Sequence, residues 1–138
     1  MKRILTAALL IPAVSYVVLW APEFLFLAVT AAVAILCFRE YAALVARHGI
    51  QPPGPAGYAA GLLVLLIPGS AFAPAIMLVT LCALTLGLRA QEPPHALPRA
   101  AAFLLGVFYG FGCWRAAPAL RSLSPYWVFY ALVLTWVG

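Results

Sequence analysis

Long apolar stretches separated by short polar links run along the whole chain. A helix formed by such a stretch is apolar on every face, so each stretch predicts a helix that is shielded from water on all sides. The predicted helices cover residues 4–20, 24–47, 56–67, 72–88, 99–114 and 126–138. Gly49 follows the second helix as a C-terminal cap, and the proline-rich segment 51–55 cannot continue it.

The third and fourth predicted helices form one long stretch without a charged residue. Residues 58–88 are long for one membrane crossing and short for two, and Pro68-Gly69-Ser70 interrupts them. The interruption favours a helical hairpin. Its first arm would rise only about 18 Å at 1.5 Å per residue, so a re-entrant segment or a single crossing stays open at this point.

Composition identifies the medium that surrounds these helices. The chain is 67% hydrophobic and 8% charged, whereas soluble domains are roughly 45–50% apolar and 25% charged. Since the backbone must satisfy its own hydrogen bonds in lipid, we predict an all-α, polytopic transmembrane protein, with residues 1–138 as a single helical domain. About six spans are expected, the last one truncated at Gly138, where no polar tail follows.

The basic residues lie scattered at the ends of the apolar stretches, which predicts orientation in the bilayer and no nucleic-acid partner. Whether residues 58–88 form a hairpin at Pro68 or cross the membrane once, more basic residues fall on one side of the membrane than on the other. Both arrangements place the N-terminus, with Lys2 and Arg3, in the cytoplasm. Three separate cysteines in apolar surroundings, Cys37, Cys82 and Cys113, are interpreted as buried and inert.

Few side chains are candidates for chemistry. Arg39 could bind a lipid phosphate and Glu40 could orient a neighbouring basic group, although anchoring at the interface is the simpler interpretation. Arg115 is explained as a side chain that reaches the interface. With only three acidic residues, well separated along the chain, no metal site and no catalytic residue are predicted within it.

Gly106 and Gly110 are spaced so that another helix can approach closely. Packing within the chain is the preferred interpretation of this glycine face. A homodimer seam is the alternative.

Several junctions together resemble a known family. They are residues 4–12 (ILTAALLIP) after a basic start, Phe38-Arg39-Glu40-Tyr41 with Leu44, Leu104-Leu105-Gly106 and residues 130–138. In order and spacing they are similar to the N-terminal half of bacterial phosphatidate cytidylyltransferase, also called CDP-diacylglycerol synthase. The resemblance covers essentially the whole chain.

The resemblance implies an enzyme of phospholipid biosynthesis in the bacterial inner membrane. Such an enzyme joins CTP and phosphatidate to give CDP-diacylglycerol and pyrophosphate, with Mg²⁺ held by acidic residues. In that family the catalytic signature follows a segment like Thr135-Trp136-Val137-Gly138, so the catalytic residues are expected beyond Gly138 and this chain alone is expected to be inactive. Because CTP is cytosolic, the family also favours the hairpin, which directs Gly138 towards the cytoplasm.

Other functions remain open from the sequence. A CTP-dependent polyprenol or phytol kinase would share the many helices and the nucleotide. A small non-catalytic membrane protein that packs with a partner or with lipid comes from a different class. A transporter is a weaker choice, since only the break at Pro68 resembles the broken helices of that class.

Overall fold

The computed structural model describes the backbone of residues 2–88 and 93–137, and the side chains of residues 11–87 and 96–136. Arg89, Glu92 and Gly138 and the side chains of Lys2, Arg3 and His95 lie outside the described residues. Every regular element within them is helical, which confirms the all-α fold. The α-helices are α1 (Lys2–Leu19), α2 (Glu23–Arg47), α3 (Pro55–Leu66), α4 (Phe72–Leu88), α5 (Pro93–Val107), α6 (Ala116–Leu123) and α7 (Pro125–Val137).

The helices form two compact units, and α2 contributes to both. Unit 1 comprises residues 1–30 and 116–138, and unit 2 comprises residues 31–115. Gly49 has a φ of +74°, a conformation that glycine adopts without strain, and it follows the end of α2 as the sequence predicted.

Unit 2 has a core of large aromatic and small aliphatic side chains. Phe38, Val64, Val107 and Phe111 are its largest fully buried members. The ring centroid of Phe38 lies 4.7 Å from that of Tyr58 and 5.3 Å from that of Phe111. These rings join α2, α3 and the segment after α5 around one centre.

The chain reverses direction between α3 and α4. Ile67 and Pro68 have extended backbone, and a short 3-10 turn, Gly69–Ala71, leads into α4. The start of α3 (Gly54, Ala56) and the end of α4 (Leu86, Gly87) line the same groove, so the two helices are antiparallel. α3 and α4 therefore form a helical hairpin, whereas two membrane crossings by residues 58–88 stay a prediction.

Arg115 closes this hairpin at its turn. Its Nη1 donates to the carbonyl oxygen of Val64 at 2.9 Å and to that of Ile67, and its guanidinium lies 4.5 Å from the centre of the Phe72 ring. The last carbonyl groups of a helix have no partner within it, and here Arg115 supplies one. Arg115 thus has a structural role that the sequence did not indicate, and its position at the membrane interface stays a prediction.

We expect Arg115→Met to lower the free energy of unfolding by about 1.5–3 kcal/mol, the usual worth of a hydrogen bond to a charged group. The substitution leaves the α3 carbonyls without their donor and removes the stacking on Phe72. Unfolding in mixed micelles, followed by circular dichroism as the denaturing detergent is increased, measures the effect. Arg47→Met, at an exposed position in the last turn of α2, is the control; equal losses in both variants would contradict the role of Arg115.

The helix that the sequence placed at residues 99–114 is longer and is not uniform. It begins at Pro93 and widens after Val107 into a π-helical segment, Phe108–Gly112. The wider turn places Phe111 in the core, where it packs directly against Gly61 of α3. Glycine at this position of α3 makes room for the ring, and a local change of helix type of this kind has no hydrophobic signature in the sequence.

Unit 1 is built from α1, the first residues of α2, α6 and α7. Its small core consists of Val18, Phe26 and Val128. The sequence predicted a polar link between residues 115 and 125, and the structure has the short helix α6 there instead. Ala117 and Leu120 of this segment pack beside Val18 and Phe26, but at eight residues α6 is shorter than the apolar stretches that identified the other helices.

Three helical stretches among the described residues are long and apolar enough to cross a membrane: Glu23–Arg47, Gly69–Gly87 and Ala96–Leu123. Pro55–Leu66 is apolar but shorter. The chain is thus a membrane protein. The count of about six spans stays a prediction.

The three cysteines are unpaired and exposed, so the expectation that they are buried is wrong. An apolar neighbourhood in the sequence does not separate a core position from one on the lipid-facing surface, because both are apolar.

Candidate functional site

The segment Phe38-Arg39-Glu40-Tyr41 on α2 presents two faces. Phe38 is fully buried, and the Tyr41 hydroxyl donates to the carbonyl oxygen of Ala102 on α5 at 2.9 Å. Residues three apart share a helix face, so Phe38 and Tyr41 together fasten this part of α2 to α5. Arg39 and Glu40 occupy the opposite, exposed face.

Arg39 and Glu40 are therefore carried on a rigid backbone with their side chains exposed. In the part of the chain that the structure describes, neither forms an ion pair or a side-chain hydrogen bond. A guanidinium can hold two oxygens of a phosphate at once, and a nearby carboxylate can orient a second basic group. The position is chemically suited to a lipid phosphate.

Gly106 and Gly110 lie against the aromatic side chains of this same segment. A Cβ atom added at Gly106 would lie 2.6 Å from Tyr41 Cε1 and 2.9 Å from Phe38 Cε2, and one at Gly110 would lie 3.3 Å from Phe38 Cδ2. The two glycines thus allow α5 and the π-helical segment to approach α2 within unit 2.

A second basic group lies in a groove of unit 2 that the sequence analysis did not single out. The groove has a volume of about 190 Å³ and brings Arg99 of α5 together with Gln51 and the backbone of Gly54. A guanidinium, an amide and a backbone N–H are all groups from which phosphate oxygens can accept hydrogen bonds. The only sequence signal was an arginine at the edge of an apolar stretch, which orientation in the bilayer explains equally well.

Two basic side chains of unit 2, Arg47 and Arg99, lie towards the same end of the unit. The bond between Tyr41 and Ala102 aligns α2 with α5, and Gly110 lies beside Phe38, so the two helices are antiparallel. Arg99 lies beyond this bond, towards the end of α2 that carries Arg47. The sequence-predicted pair Arg39 and Glu40 lies nearer the middle of unit 2.

The described residues do not fit a magnesium site. Among them no group of three or more histidine, cysteine, aspartate or glutamate side chains comes together. Glu23 belongs to unit 1 and Glu40 to unit 2. A divalent cation that activates a nucleotide takes carboxylate oxygens, so no catalytic step is assigned to a metal held by these residues.

Comparison with known proteins decides the family. Residues 1–138 match the model of the cytidylyltransferase family. The chain belongs to the cytidylyltransferase family. The resemblance to phosphatidate cytidylyltransferase drawn from the sequence is thereby confirmed at the level of the family. No curated protein and no solved structure matches the chain.

Membership in the cytidylyltransferase family indicates a CTP-using transferase. A nucleotidyltransferase must hold an acceptor phosphate and bring it to the nucleotide. Among the described residues of the cytidylyltransferase, the exposed Arg39 and the groove-lining Arg99 carry guanidinium groups, which can donate to phosphate oxygens.

Proposed function

We propose that the chain is part of a phosphatidate cytidylyltransferase, which makes CDP-diacylglycerol. The observation that carries the proposal is the match of all 138 residues to the cytidylyltransferase family. The apolar helices support a lipid acceptor, because a protein embedded in the bilayer can bind a lipid substrate directly from it. In the proposed reaction a phosphatidate oxygen bonds to the α-phosphorus of CTP, and the bond from that phosphorus to the β-phosphate oxygen breaks, so that pyrophosphate leaves.

Within this reaction the described residues bind the acceptor. Arg39 holds the phosphate of phosphatidate, and Glu40 orients a basic neighbour. The end of unit 2 that carries Arg47 and Arg99 faces the cytoplasmic side of a bacterial inner membrane, in line with the excess of basic residues expected on the cytoplasmic side. We place the catalytic carboxylates, and the magnesium that they would hold, in residues beyond Gly138. A homodimer is compatible with this arrangement.

Labelled CTP tests the reaction type. The protein expressed from its full coding sequence is reconstituted with phosphatidate or, in parallel, with a polyprenol or phytol, and with CTP labelled at either the α- or the γ-phosphate. A cytidylyltransferase transfers the α-label to lipid and releases the γ-label as pyrophosphate. Transfer of the γ-label to a polyprenol or phytol acceptor would establish a kinase and overturn the proposal, and residues 1–138 alone are expected to transfer neither label.

Arg39→Ala is expected to raise the KM for phosphatidate about tenfold in the full-length enzyme, because one charge-assisted phosphate contact is lost. The exposed position of Arg39 predicts little change in folding. Initial rates at limiting and saturating phosphatidate, together with thermal unfolding, separate the two effects. Arg47→Ala is the matched control, and unchanged activity of Arg39→Ala at limiting phosphatidate would remove Arg39 from the site.

A further inference from the structure

A second groove lies within unit 1, and the proposed reaction does not use it. Its volume is about 480 Å³. It combines two opposite charges with a hydroxyl and apolar walls. The lining residues are Glu23, Phe26, Leu27, Pro118, Arg121, Ser122 and Pro125.

Arg121 is held in place but incompletely satisfied. Its Nη2 donates to the carbonyl oxygen of Ala21, and its guanidinium lies 4.5 Å from the centre of the Phe26 ring. Its Nη1 is enclosed and has no hydrogen-bond partner among the described residues. A desolvated charged donor without an acceptor is costly, and because the Arg121 side chain lines the groove, an anionic group bound there would stabilise the guanidinium by its opposite charge.

Glu23 supplies the opposite charge of the groove. Its side chain is exposed at the start of α2, and no ion pair joins it to Arg121 in the part of the chain that the structure describes. The groove therefore offers one cationic and one anionic position to a ligand. The Ser122 hydroxyl donates to the carbonyl oxygen of Ala119 and keeps its own oxygen as an acceptor.

Exposed aromatic side chains surround this end of unit 1. They are Trp20 after α1, Phe24 at the start of α2, and Tyr126 and Trp127 at the start of α7. Tryptophan and tyrosine concentrate where the bilayer meets water, at the depth of the lipid headgroups. We therefore expect the groove to lie at the level where phosphate and amine groups of lipids are found.

We propose that this groove binds the headgroup of a bilayer phospholipid that carries both a phosphate and a primary amine, as phosphatidylethanolamine does. A phosphate oxygen accepts from the Arg121 guanidinium, and the ammonium donates to the Glu23 carboxylate. Phe26, Leu27 and the two prolines contact the apolar part of the lipid. The site uses unit 1 residues alone and does not depend on the proposed reaction.

The pair of charges also sets the selectivity of the site. Phosphatidylcholine has a quaternary ammonium without an N–H, so it cannot donate to Glu23. Phosphatidylglycerol brings a negative phosphate without a cation and leaves the Glu23 carboxylate unpaired. We therefore expect phosphatidylethanolamine to bind more tightly than either lipid.

Native mass spectrometry of the purified chain in micelles tests the proposal. Phosphatidylethanolamine, phosphatidylcholine and phosphatidylglycerol with the same acyl chains are titrated separately. Arg121→Gln is expected to weaken phosphatidylethanolamine binding about tenfold, because the charged donor is lost. Arg47→Gln, at an exposed arginine of unit 2, is the control, and equal binding by the wild type and Arg121→Gln would overturn the proposal.

Glu23 provides a test that does not rely on Arg121, which also contributes to packing. Glu23→Gln is expected to remove the preference for phosphatidylethanolamine over phosphatidylcholine. Glu23→Lys is expected to shift the preference to phosphatidylglycerol. An unchanged order of affinities in both variants would overturn the proposal, as would displacement of the lipid by inorganic phosphate at equal concentration, which would indicate a site for free phosphate.

Discussion

Replacing Phe38 by alanine is expected to destabilise the chain by about 3–5 kcal/mol, the usual cost of removing a buried phenylalanine ring. Phe38 is fully buried. Its ring packs against the rings of Tyr58 and Phe111 and against the backbone at Gly57 and Gly106. Because these contacts come from three different segments, no single side chain can move to fill the cavity.

Unfolding in mixed micelles measures the loss, and Phe24→Ala is the matched control. Phe24 lies on the same helix with 82% of its surface exposed, so its removal leaves no cavity. A loss in Phe38→Ala no larger than that in Phe24→Ala would show that the ring does not join the helices of unit 2.

Replacing Gly61 by leucine is expected to destabilise the chain by about 3 kcal/mol or more, at the upper end of the cost of overpacking. Even a Cβ atom at this position would overlap the ring of Phe111. Phe111 is itself fully buried and packed against Phe38. Relief of the overlap therefore requires α3 or the π-helical segment to move.

A compensating substitution tests whether this overlap is the cause. Phe111→Leu combined with Gly61→Ala should lose less stability than the sum of the two single variants, because the smaller side chain makes room for the new methyl group. Gly69→Ala is the control, since nothing lies within 4 Å of a Cβ atom added there. Strict additivity of the two changes would contradict direct packing of Phe111 on Gly61.

Most helix positions followed from the sequence because apolar length and proline breaks are local properties. The break at Pro68 and the cap at Gly49 are examples, each caused by the residue that stands there. The short helix α6 was missed because its eight residues, which include Arg121 and Ser122, resemble a polar link in length and composition. The π-helical segment was missed because its wider turn depends on the match between Phe111 and Gly61, residues far apart in the chain.

The candidate sites were less predictable than the helices. Arg39 and Glu40 could be chosen as charges within a predicted helix, and Phe38 and Tyr41 explain why they lie on its exposed face. Arg99, Arg115 and Arg121 look alike in the sequence, each an arginine beside an apolar stretch. In the structure Arg99 lines a groove, Arg115 binds the end of α3, and Arg121 keeps one enclosed nitrogen without a partner among the described residues.

The sequence by itself determined that the chain is helical, that it belongs in a membrane and that it resembles a cytidylyltransferase. Hydrophobicity, helix breaks and short junctions each depend only on residues that are neighbours in the sequence. The tertiary structure alone decided which apolar side chains form the core and which face outward. Val79 and Ala83 are buried whereas Leu78 and Leu81 on the same helix are exposed. In lipid both faces of a helix are apolar, so only contacts between distant segments distinguish them.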